Sequence, residues 1–115
     1  MDEFFIDKAV YAELQLATGP EFAAELVGTF FEEAPAILAE LRSALMAGDA
    51  VRFKRAAHSI KSNATTFGAL TLADLARELE LKSLDTEPAL DFAKLTTLDA
   101  EYARVVTALK AMRDG

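Results

Sequence analysis

The sequence has no cysteine and no tryptophan, a single histidine, and only three prolines and five glycines in 115 residues. The missing cysteines exclude disulfides, thiolate metal sites and cysteine nucleophiles together. They also fit a reducing compartment. Basic residues are scarce: 12 Lys and Arg stand against 19 Asp and Glu, giving a net charge of −7. Nucleic-acid binding needs a basic footprint that displaces counterions, and an anionic membrane surface repels the same sign of charge. No apolar run approaches the length of a bilayer span. The opening MDEFFIDK lacks the basic and apolar segments of a signal peptide. Neither nucleic acid nor membrane is therefore an expected partner, and a soluble cytoplasmic domain is the expectation.

What the chain does have is apolar content, 52% of residues, enough for one core. Its length predicts a single domain over residues 1–115. Apolar residues recur at steps of three and four rather than two, which reads as helix throughout. The spacing predicts a short helix over 6–17, ended by Thr18-Gly19-Pro20. A second helix is predicted over 21–47, with Gly48 as its stop and Pro35 as an internal kink. Its apolar stripe reads Phe22, Leu26, Phe30, Ile37, Leu41 and Leu45.

A third helix follows Asp49, its expected N-cap, and runs to residue 67, before Gly68. A fourth is entered at Thr71, with Asp74 reaching back, and carries Leu72, Leu75, Ala76 and Leu79. It is predicted to end close to Lys82, before a polar loop over 83–87. Pro88 opens a fifth, along which Leu95, Leu98, Tyr102, Val105, Leu109 and Met112 alternate steps of three and four. Four amphipathic helices with short connections predict an all-α fold, an antiparallel up-down-up-down four-helix bundle with a short additional N-terminal helix.

The single histidine, His58, sits in the third helix. Phe53, Ala57, Ile60, Ala64 and Phe67 follow the 4-3-4-3 spacing of a core seam. On an ideal helix of about 100° per residue, His58 falls about 140° from that seam, so it should face solvent. Lys54, Lys61 and Thr65 share its side, and Val51 and Ser62 complete the patch. Most exposed histidines and lysines are plain surface residues. An imidazole, however, is largely neutral at cytoplasmic pH, and one ring nitrogen is then a nucleophile. A phosphoryl group on that nitrogen would be met by the flanking ammonium groups.

The stretch His58-x-Ile60-Lys61-x-x-Ala64-x-x-x-Gly68-Ala69 resembles the signature of histidine-containing phosphotransfer (HPt) domains. The likeness extends over the helix plan of nearly the whole chain. It implies that His58 accepts and donates a phosphoryl group through Nε2, that Lys61 stabilises that group, and that Gly68 ends the histidine helix near its packing partner. Ile60 and Ala64 match apolar core positions. Ser62 departs from the pattern, since many family members carry glycine there; serine is still small enough to keep the approach open.

The resemblance further implies a phosphorelay intermediate, charged by the phospho-aspartate of a receiver domain and discharged to another receiver. The expected partners are response-regulator receiver domains and a hybrid histidine kinase, met by a monomer. Val51, Lys54, Arg55, Ser62 and Thr65 are the expected docking residues, with Phe31 or Leu38 of the second helix as further candidates. No cofactor or metal is expected on this chain, Mg2+ belonging to the receiver. No nucleotide-binding glycine loop is present, so the chain is expected to carry phosphoryl groups rather than act as an ATP-dependent enzyme. A second reading keeps the bundle and the patch but regulates a histidine kinase or response regulator by binding alone. A bundle metal enzyme would need Glu-x-x-His pairs; the residue three before His58 is Arg55, and no second histidine exists.

Overall fold

Two glycines turn the chain in the same way, and one of them also admits a close contact that no other residue would allow. The computed structural model describes residues 6–81 and 88–114. Its helices are α1 (Lys8–Thr18), α2 (Pro20–Ala47), α3 (Ala50–Thr66), α4 (Leu70–Leu81) and α5 (Pro88–Asp114). The polar connection expected over 83–87 lies outside the described residues. Pro20 is the first residue of α2, where its missing N–H costs nothing, so the helix starts one residue earlier than the predicted 21.

At the end of α2, Gly48 takes a φ of +67°. Its N–H donates to the Leu45 carbonyl at 3.1 Å, and the next N–H, of Asp49, reaches the Ala44 carbonyl at 2.9 Å. These paired bonds satisfy the helix's last acceptors. Asp49 then caps α3 at once, its Oδ1 accepting from the Arg52 N–H at 3.1 Å. The same device ends α3. Gly68, at φ +78°, donates to Thr65, and Ala69 donates to Ala64. The Ala69 carbonyl accepts from the Ala73 N–H at 2.9 Å, so α4 opens at Leu70 and not at Thr71 as predicted.

α2 packs against α3 and α5, and α4 packs against the same two helices, which closes a four-helix bundle. α1 lies across α2 and touches α3. The buried side chains form one cluster, with Phe30 near its centre. The Phe30 ring meets that of Phe67 at 5.3 Å and that of Tyr102 edge-on at 5.6 Å, tying α2 to the end of α3 and to α5. The α3 seam is as predicted: Phe53, Ala57, Ile60, Ala64 and Phe67 are all buried. The α2 stripe is shifted in its first half, while Leu41 and Leu45 are buried as predicted. Ala23, Val27, Phe30 and Ala34 are the buried line, while Phe22 is 50% exposed.

Gly68 has a second task. Its carbonyl accepts from the Asp7 N–H at 2.7 Å, and a Cβ built on it would lie 2.7 Å from the Asp7 carbonyl oxygen and 2.9 Å from Val10 Cβ. The start of α1 docks there only because no side chain intervenes. Gly68→Ala is therefore expected to destabilise the fold by about 1–3 kcal/mol, from the positive φ and the overlap with α1. Urea unfolding should show a lower midpoint at an unchanged slope.

Candidate functional site

The burial of the α3 seam turns His58 outward, with 58% of its side chain exposed. The ring is nevertheless held. The tight turn at Gly68 sends α4 back along α3, so the last turn of α4 arrives beside the middle of α3. Glu80 projects there. Its Oε2 lies 2.5 Å from His58 Nδ1, and its Oε1 lies 2.6 Å from Lys61 Nζ. One carboxylate thus bridges two side chains on adjacent turns of the facing helix.

The bridge selects a tautomer. An ionised carboxylate only accepts hydrogen bonds, so His58 Nδ1 must carry the proton. In the neutral ring, Nε2 then holds the lone pair. Glu80 is only 13% exposed, yet it stays ionised readily. The Lys61 hydrogen bond above all, and then that of His58, hold its carboxyl below the usual carboxylate range, against burial, which pushes it up.

Lys61 is where the sequence placed it, on the His58 side of α3, but it is folded onto Glu80 and only 30% exposed. Val51, Lys54, Arg55, Ser62 and Thr65 are all exposed on the same helix. The Thr65 hydroxyl is spent on the Lys61 carbonyl at 2.8 Å, so that side chain offers mainly its methyl group. Ser62, the departure from the commoner glycine, is exposed with nothing bulky of its own beside His58. Gly68 lies ten residues on from His58, about 15 Å along the helix, and acts through the turn.

The α2 candidates are less exposed than the α3 patch. Phe31 and Leu38 are partly buried against the core. Phe31 lies under Lys110 and Arg113 of α5, with Nζ at 5.9 Å and the guanidinium carbon at 5.5 Å from the ring centre, so it faces away from His58. Among the described residues, no group of three or more acidic, His or Cys side chains is placed to hold a metal ion. No helix among them is long and apolar enough to cross a membrane.

A family model, the Hpt domain, matches residues 25–112. The chain belongs to the Hpt domain family. It is also similar to the crystal structure of histidine-containing phosphotransfer protein B (HptB) from Pseudomonas aeruginosa PAO1. The two are 30% identical, the match covers 96% of this chain and 95% of that one, and the TM-score is 0.83. A search of curated proteins gives no match. This Hpt domain therefore has a phosphotransfer role in two-component signalling, and Hpt domains are phosphocarrier modules. Hpt domains work with receiver domains and histidine kinases.

Sequence reasoning missed Glu80. Its one signal is position: it follows Ala73 and Ala76 by steps of seven and four, on the line of small residues that α4 buries. The bridge also predicts a pH dependence. Because the folded-state value of Glu80 is below the ordinary 4.5, its contribution to stability is complete above that pH and is lost as pH falls through the lower folded value. Between about pH 7 and pH 3, the stability difference between wild type and Glu80→Gln should shrink on acidification. Parallel stability curves for the two proteins would remove the bridge from the folding balance.

Proposed function

We propose that this protein is a phosphorelay intermediate, in which His58 takes a phosphoryl group from the phospho-aspartate of one receiver domain and yields it to another. The observation that carries this reading is the Glu80 bridge, which fixes the ring by Nδ1 and leaves Nε2 as the nucleophile on an exposed face. Nε2 attacks phosphorus in line, the N–P bond forms, and the acyl-phosphate P–O bond breaks with the aspartate carboxylate as leaving group. The ring becomes cationic as it is phosphorylated, and the Glu80 carboxylate on Nδ1–H balances that charge. Lys61 meets the phosphoryl oxygens. Return transfer is the same step reversed, with a second receiver's aspartate attacking phosphorus.

The remaining catalysis belongs to the partner, where a bound Mg2+ would supply charge neutralisation at the phosphoryl oxygens. The exposed residues Val51, Lys54, Arg55, Ser62 and Thr65 form the docking patch around the nucleophile, and the protein meets its partners as a monomer. A binding module without phosphoryl chemistry would use the same patch; the built tautomer of His58 favours the relay, since binding alone does not need it.

Labelled phospho-receiver should transfer its label to this protein as an acid-labile, alkali-stable adduct. His58→Gln should take no label; labelling equal to wild type would overturn the assignment. Lys61→Ala should fold and still be labelled, but about 10–100-fold more slowly, the worth of a charge-assisted hydrogen bond. An unchanged rate would remove Lys61 from the transfer step.

A further inference from the structure

Toward the Gly68 turn, α2 and α3 part around a cavity of about 190 Å³. Leu26 and Phe30 of α2 and Phe67 of α3 give it an apolar floor, the two rings lying 5.3 Å apart. Thr29 and Glu33 line it from α2, and Asn63 and Thr66 from α3. On an ideal helix, Asn63 stands about 140° around α3 from His58 and about 7.5 Å further along it, so the cavity and the nucleophile occupy different faces.

The fold leaves most of these polar groups unused. The Thr66 hydroxyl donates to the Ser62 carbonyl at 3.0 Å, but among the described residues no hydrogen bond or ion pair holds the side chain of Thr29, Glu33 or Asn63. The charge is one-sided. From Pro20 to Leu41, α2 carries Glu21, Glu25, Glu32, Glu33 and Glu40 and no lysine or arginine. Arg52 takes up Glu40. Lys61 is turned to the opposite side of α3, where it holds Glu80. Lys110 and Arg113 lie over Phe31, about 160° around α2 from Glu33.

A carboxylate, an amide oxygen and a hydroxyl oxygen all accept hydrogen bonds, and over an apolar floor they select a cation that carries several donors and gives up water readily. A guanidinium does both, with its N–H groups in one plane and a weaker hydration shell than an ammonium. The volume lies below the roughly 300 Å³ at which pockets for drug-sized ligands begin, so it admits a short chain and no nucleotide.

We propose that this cavity binds a small alkylguanidinium ion, its head group paired with Glu33 and hydrogen-bonded to Asn63 and Thr29, its alkyl group resting on Leu26, Phe30 and Phe67. The site is independent of the phosphoryl chemistry at His58, and an occupied site ties α2 to α3 without covering the nucleophile.

The test titrates the nitrogen-15-labelled full chain with n-butylguanidinium and follows the amide resonances of Thr29, Glu33, Asn63 and Thr66. They should shift together and saturate with a Kd of about 1–10 mM, the range open to a ligand of so few atoms. Butylurea, neutral and of the same shape, should not saturate there. Glu33→Gln, at an exposed position, should weaken binding about tenfold, and Thr29→Val about threefold. Glu32→Gln removes an equally exposed acid that does not line the cavity and should leave Kd unchanged. Absence of saturation, equal binding of butylurea, or equal losses in the two glutamine variants overturns the site. Nα-acetyl-arginine N-methylamide should bind no better than n-butylguanidinium; tighter binding overturns the free ligand in favour of an arginine of a partner protein. Labelling of His58 by a phospho-receiver reads the relay separately, so either assignment can fail without the other.

Discussion

Alanine lets α3 and α4 run close enough for one carboxylate to touch two side chains on the facing helix. Ala57 and Ala64 of α3, Ala69 at the turn, and Ala73 and Ala76 of α4 are each no more than 7% exposed. A larger residue at these places would widen the seam, and Glu80 would no longer reach Nδ1 of His58 and Nζ of Lys61 together. Gly68 sets the register of that seam. Its positive φ lets α3 end and α4 begin within four residues, so the two helices stay in step from the turn back to the site. The same glycine admits the start of α1, so the turn that places Glu80 is pinned from outside by the Asp7–Gly68 hydrogen bond.

Much of this was legible in the sequence, for a physical reason. The 4-3-4-3 seam of Phe53, Ala57, Ile60, Ala64 and Phe67 is a property of one helix, and it turns His58 outward whatever the rest of the fold does. Gly48 and Gly68 were readable because a helix stop is also local. Glu80 was not readable, since its role depends on which residue of α4 falls opposite His58, and that register comes from packing. Phe22 and Phe31 misled for a related reason. Hydrophobicity alone placed them in a stripe or a patch, whereas the line that this part of α2 buries runs through Ala23, Val27 and Ala34, all fully buried. Small residues carry little weight in an apolar pattern and much in a helix contact.

The cations of α3 divide by whether the fold has already used them. Arg52 is committed to Glu40, an interaction that lowers the Glu40 carboxyl below its ordinary range chiefly through the guanidinium hydrogen bond. Together with the Arg42–Asp99 contact between α2 and α5, it helps hold α2 in place. Both pairs are partly exposed, so each adds little stability, and their value lies in orientation. Lys54 and Arg55 are left for whatever approaches His58. A helix with no acid of its own can stay on an acidic domain because its neighbours supply the carboxylates it needs, and it leaves the remainder unbalanced on the working face.

With His58 as the phosphoryl acceptor, Lys61 cannot serve Glu80 and the phosphoryl group equally. In the unphosphorylated protein its ammonium is held by a carboxylate of unit charge. A phosphoryl group brings more charge and three acceptor oxygens, so it draws the ammonium away. Glu80 would then be left buried without its strongest partner, were it not for the second contact. Phosphorylation makes the imidazole cationic, which strengthens the Nδ1–H bond to Glu80 just as Lys61 leaves. The carboxylate therefore exchanges one cationic partner for another, and the site never holds an uncompensated buried charge, which would be costly. On the proposed relay, such an exchange would keep the two states close in energy, and a group that both accepts and releases phosphoryl needs that balance more than it needs tight binding.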